Sequence, residues 1–215
     1  LITGGVLTDS GVVSVTGTTS ITAGANDITL NNGNDFTGAL SIVSGNNVVL
    51  NDVSALILGA STVSGTLTTS SVGLSQSGAL SVTGAASFDA GASTLVLNTA
   101  GNSFTSTVAL SNSGVNAVSL TDNTPLSLAV SSVGSGGVTL VSNGAITQSG
   151  NFVTAGGTTN LTASGPADIT MTQVGNDFGT VVITTGQNVQ ITDTNALVLG
   201  ASTVGGSLTL ITGGV

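Results

Sequence analysis

The apolar residues of this chain tend to come two positions apart. Ile28/Leu30, Leu40/Ile42, Val48/Leu50, Leu56/Leu58, Leu80/Val82 and Leu95/Leu97 form such pairs, with Leu67, Leu74 and Phe88 standing singly among them. Residues i and i+2 of a strand point to one side of it, so each pair predicts a short β-strand with one buried face. Gly, Asn, Ser and Thr fill the intervals of roughly 7–12 residues, as turns require. The stretch from Ile28 to Phe88 therefore reads as eight short strands.

Larger units return in register. Gly33-Asn34-Asp35-Phe36, Gly101-Asn102-Ser103-Phe104 and Gly175-Asn176-Asp177-Phe178 share one pattern, which places a unit boundary roughly every 70 positions. A Leu/Ile-x-Asp step ends at Asp52, Asp122 and Asp193, and a turn-like unit recurs at Thr8-Asp9-Ser10-Gly11, Ser75-Gln76-Ser77-Gly78 and Thr147-Gln148-Ser149-Gly150. Leu56-Ile57-Leu58-Gly59-Ala60-Ser61-Thr62-Val63 matches Leu197-Val198-Leu199-Gly200-Ala201-Ser202-Thr203-Val204, with the diverged Leu126-Ser127-Leu128-Ala129-Val130 between them. The opening hexapeptide Leu1-Ile2-Thr3-Gly4-Gly5-Val6 returns as Leu210-Ile211-Thr212-Gly213-Gly214-Val215. Residues 1–215 read as a single uninterrupted segment, one ~209-residue period of a longer tandem array, with internal repeats of roughly 7–75, 76–146 and 147–215.

Short, near-evenly spaced strands admit an antiparallel barrel or sandwich, or a parallel β-solenoid. A supersecondary unit repeated three times and then resumed favours the solenoid. A transmembrane barrel would want girdles of Trp and Tyr, and both are absent. The expected fold is all-β: a parallel β-solenoid (β-helix) of about 12 coils in three ~70-residue repeats. Taken two to a coil, eight strands give four coils of about 17–18 residues per unit. A triangular coil of roughly 26 residues ranks second, because it leaves the ~70-residue unit out of phase with the coils.

Composition narrows the function. There is no Lys, Arg, His, Cys, Tyr or Trp, and all nine acidic residues are Asp, giving a formal net charge of −9. Phosphate neutralisation needs cations, so nucleic-acid binding is excluded, and docking on anionic lipid is disfavoured. No apolar run of about 18 residues exists, so no membrane-inserted helix is encoded. Disulfides and thiolate metal sites are excluded, and trypsin-type proteases have no cleavage site.

The units Ala145-Ile146-Thr147-Gln148-Ser149-Gly150, Asn34-Asp35-Phe36-Thr37-Gly38 and Ala55 to Val63 resemble the repeats of large bacterial surface proteins of the filamentous haemagglutinin type. That resemblance covers essentially the whole chain. It implies a right-handed parallel β-helix displayed outside the cell, with secretion and adhesive regions elsewhere in the polypeptide and no catalytic residues.

Candidate chemistry is sparse. Asp carboxylates are the only acid–base side chains, and their repetition speaks for turn geometry rather than a unique catalytic pair, so the chain reads as no enzyme. Asp35 and Asp177 are weak calcium candidates: Gly-Asn-Asp resembles a calcium nonapeptide, yet it recurs every ~70 residues instead of every nine, and Ser103 replaces the acid in the middle copy. An Asx-turn at a coil corner is the favoured alternative. Phe36, Phe104 and Phe178, with Asp52, Asp122 and Asp193, are structural repeat positions, the Phe residues filling the core. Ice binding lacks Thr-x-Thr at coil spacing, a carbohydrate module would want an aromatic groove, and Asn160-Leu161-Thr162 is an isolated glycosylation triplet.

The expected function is the structural shaft of an extracellular bacterial filament or adhesin, stiff and protease-resistant, for surface attachment or matrix. Its partner is itself, through end-to-end or tandem stacking, with host or surface ligands bound by other regions and no cofactor beyond the calcium candidate. The alternative is a small self-assembling subunit that stacks end to end into a functional-amyloid-like fibre.

Overall fold

The computed structural model describes residues 1–214. Among them there is no helix, and so none long and apolar enough to cross a membrane. The apolar pairs are strands: Leu40–Ser44, Val48–Asp52, Leu56–Leu58 and Leu95–Leu97 each alternate buried and less buried positions. Strand neighbours pair in parallel, and the chain is a β-solenoid. One long sheet runs through eleven successive strands to Leu208–Thr212, and a second through ten, from Thr19–Thr22 to Val198–Leu199.

Register gives the length of a turn. In the first sheet Ile28 faces Val48, Val48 faces Leu67, Leu67 faces Ala86, Ala86 faces Val108 and Val108 faces Leu128. Each step advances the chain by about 20 residues, one winding of the solenoid. About ten turns result, rising roughly 48 Å at ~4.8 Å per strand.

The sequence spacing suggested about 12 shorter coils, and the difference has a clear cause. Leu80–Val82 does not lie on either long sheet. With Ser61–Val63 and Ser103–Phe104 it forms a short third sheet at one edge of the turn. Pairing eight strands two by two therefore counted an edge strand as a face strand.

At about 20 residues per turn, a ~70-residue repeat winds three and a half turns. Equivalent segments then fall alternately on the two faces. Leu56–Leu58 lies in the second sheet, its counterpart Leu126–Leu128 in the first, and the next, Val198–Leu199, in the second again. Val48–Asp52, Val118–Asp122 and Val189–Asp193 alternate in the opposite sense. The duplicated hexapeptide follows the same rule: Ile2 bridges Thr22 of the second sheet, whereas Ile211 pairs with Thr192 in the first. An out-of-phase repeat is thus the actual arrangement.

One continuous apolar cluster fills the interior, from Ile21 and Ile28 to Val189 and Ile191. Leu is its commonest side chain, followed by Val and Ile, and full burial of each such side chain is worth about 1.5–3 kcal/mol.

Candidate functional site

The repeated motifs converge on a polar staple that ties three consecutive turns together. In the middle repeat its members are Gln76, Asn102 and Asp122, one from each turn. Asn102 is fully buried, as are Asn34 and Asn176 at the same motif position. Its side-chain amide and that of Gln76 bond reciprocally at 2.8 and 2.9 Å. Asn102 Oδ1 also accepts the Leu80 amide of the turn below at 2.9 Å. Its Nδ2 lies 3.1 Å from the carbonyls of Leu97, in its own turn, and Thr121, in the turn above.

The Asp that follows completes the staple. Asp122 Oδ1 accepts the Phe104 amide of the turn below at 3.2 Å, together with the amide and hydroxyl of Thr124. One carboxylate oxygen thus fixes its own Asx-turn and the preceding turn's Phe backbone.

The third repeat reproduces this geometry. Asn176 and Gln148 bond reciprocally at 2.8 Å, and Asn176 Oδ1 accepts the Phe152 amide at 2.9 Å. Asp193 accepts the Phe178 amide at 2.7 Å and the Asn195 amide at 3.2 Å. In the first repeat Asp9 stands where the others have Gln. It accepts the Asn34 amide at 2.8 Å, while Asn34 Oδ1 takes the Val13 amide at 2.8 Å and Asp52 takes the Phe36 amide at 3.0 Å.

Phe36, Phe104 and Phe178 are buried directly beside these amides. Phe104 meets Phe88 edge-on at 5.7 Å between centroids, and Phe178 stacks on Phe152 at 6.0 Å. The backbone fit is close: a Cβ on Gly175 would meet the Asn151 amide, and Gly33 takes a left-handed φ of 64° that favours glycine.

Asp35 and Asp177, the calcium candidates, point to the next turn. Asp35 Oδ1 accepts the Ser54 hydroxyl at 2.8 Å, and Asp177 Oδ1 accepts the Asn195 side-chain amide at 2.9 Å. Among the described residues no three acidic, His or Cys side chains converge as a metal site would require.

Electrostatics separate the carboxylates. Burial raises the pKa of Asp122 from its ordinary value despite hydrogen bonds from Thr124 and Phe104, and its Oδ2 has no partner. For Asp9 desolvation also acts upward, but donation by Asn34, Asn32 and Asn31 outweighs it and lowers the pKa. Asp27 is lowered by the Asn47 amide and the Asn46 side chain. It begins a second ladder at a corner, in which Asn47 Oδ1 takes the Thr66 amide one turn on; Asp168, Asn188 and Ser207 repeat it.

Asn34, Asn102 and Asn176 were not singled out by sequence reading, although the Gly-Asn-x-Phe motif carried them. Their partners, Asp9, Gln76 and Gln148, sat in another motif 25 to 28 residues away. Only the turn length brings the two motifs together.

Stacked turns stitched by a recurring staple define a parallel β-solenoid repeat protein. The chain belongs to the family described as Repeats of unknown function (DUF5649), which matches residues 1–43, 45–111, 115–185 and 186–215. No curated protein and no solved structure matches the chain.

Proposed function

We propose that this chain is a stretch of the shaft of an extracellular bacterial filament, in the manner of the haemagglutinin-type surface proteins its repeats resemble. The observation that carries this reading is mechanical: one apolar core runs through about ten turns, and buried side chains lock each staple across three of them. Peeling a turn from such a stack breaks its strand ladder, exposes its Leu and Ile side chains, and orphans buried Asn amides together. Resistance is therefore distributed along the shaft, with a reinforcing point every three and a half turns.

The role needs no catalytic group or cofactor. Absence of Lys and Arg protects the shaft from trypsin-type cleavage. Adhesive contacts belong to other regions of the polypeptide.

Immunogold labelling of intact source cells with antibodies to this chain tests the proposal. The expected result is label along filaments outside the cell, equally strong before and after permeabilisation. Label that appears only after permeabilisation overturns it.

A further inference from the structure

We propose that this solenoid associates side by side with a second copy of itself, a ridge at Val130 on one edge seating in a groove at Ala60 and Ala79 on the opposite edge of its neighbour. The proposal stands on the half-turn phase and is independent of where the protein resides.

Each turn has two edges where the long sheets meet. The short strands Ser61–Val63, Leu80–Val82 and Ser103–Phe104 lie where the chain passes from the second sheet to the first. Their counterparts one repeat later, Ser131–Val133 and Phe152–Thr154 with the bridging Asp177, lie where it passes from the first sheet to the second. Equivalent surfaces therefore occupy opposite edges.

Their side chains differ in size. Ala60, Ala79 and Gly101 leave a groove of about 450 Å³ walled by Val43. At the equivalent backbone positions stand Val130, Asn151 and Gly175, and Val130 is 71% exposed. Val12, on the same edge as Val130 and equivalent to Ala79, is 69% exposed. One edge thus carries valine knobs and the other a hollow of matching repeat geometry.

Polar groups match as well. No Asp lines the groove, whose exposed hydroxyls are Thr62 and Ser81; that of Ser61 is buried and donates to the Gly59 carbonyl. The ridge carries Asp177 at the position equivalent to Ser103. A carboxylate acceptor on one edge therefore faces hydroxyl donors on the other, with no opposing charge at the contact.

Different patches on the two edges make the contact heterologous, so it propagates as an open ribbon instead of closing as a dimer. A single contact is far smaller than the ~1,600 Å² of a standard interface, so the association is weak and concentration-dependent. Salt strengthens it by screening the net charge of −9.

The absence of cysteine permits a direct test. Chains carrying Val130→Cys and chains carrying Ala60→Cys are mixed and oxidised. Mixed disulfides are expected to form about tenfold faster than between Ala60→Cys and Thr139→Cys, a control at an exposed residue on the face of the second sheet, away from both edges. Equal rates, or homodimers outpacing the mixed product, overturn the proposal. In sedimentation, Ala60→Leu fills the groove and is expected to weaken association about tenfold without lowering the melting temperature. A parent chain that stays monomeric up to millimolar concentration also overturns it.

Discussion

The middle and third staples share a plan and differ in one atom. Asp193 uses both carboxylate oxygens, one for the Phe178 amide and the other for Asn195. Asp122 gathers Phe104 and Thr124 on Oδ1 alone and leaves Oδ2 buried without a partner. Burial consequently raises its pKa, so Asp122 holds its neighbours at a cost in desolvation. Register is enforced by the same backbone amide in both cases. The charge that enforces it is matched in one staple and unmatched in the other.

Removing the ring beneath a staple gives the largest effect. Phe104→Ala and Phe178→Ala each leave a cavity and an unpaired ring, Phe88 or Phe152, and are expected to destabilise by about 4 kcal/mol in urea unfolding. Next come the buried amides. Asn102→Ala strands Gln76, the Leu80 amide and two carbonyls, and should cost about 3 kcal/mol. Asn34→Ala strands only the Val13 amide and a hydrogen bond to Asp9, and should cost about half as much. Equal losses would show that the staples do not differ as their bonding does.

The Asp comparison is sharper. Asp193→Asn replaces one of two used acceptors by an amide nitrogen and should destabilise by about 1–2 kcal/mol. Asp122→Asn can keep Oδ1 and discharges the unpartnered atom, so it should be neutral or stabilising at pH 7. Its pH dependence follows from the raised folded pKa. The contribution of Asp122 is fully present below its unfolded value of 3.8 and is lost as pH rises through the folded value. The advantage of Asp122→Asn should therefore be absent below pH 3.8 and grow above it, as read from melting temperatures across the pH range. Asp9 and Asp27 act in the opposite sense: their pKa values are lowered, and their stabilisation disappears as pH falls below 3.8.

The smallest effect is expected for Asp35→Ser, which copies the residue at Ser103. It removes one partly exposed bond to Ser54 and should change stability by about 0.5 kcal/mol. A calorimetric loss several times larger would give Asp35 a role beyond that bond.

Strands and their inward faces were legible in the sequence because alternation of apolar and polar residues is a local property. Val48 and Leu50, or Leu95 and Leu97, declare their face without reference to the rest of the chain. Turn length was not legible in the same way. Leu80 and Val82 alternate as a face strand does, yet they lie at an edge, and no local signal separates the two. The demand for whole turns in each repeat then favoured four short coils over three and a half longer ones. The staple was hidden for the same reason: Gln76, Asn102 and Asp122 meet only once the winding has its true length.

That turn length, and the half-turn phase that follows from it, is the central claim. Thr107 and Ser127 are strand partners in the first sheet, while the strands equivalent to theirs, Leu40–Ser44 and Leu56–Leu58, lie in the second. Oxidation of a Thr107→Cys/Ser127→Cys chain tests it directly, because adjacent strands at ~4.8 Å lie within disulfide reach. A rapid intrachain disulfide in the folded protein is predicted, with none in a Thr107→Cys/Thr124→Cys chain, whose spacing is that of the shorter coil. The reverse outcome, bonding in the Thr107/Thr124 pair and not in the Thr107/Ser127 pair, would contradict the account.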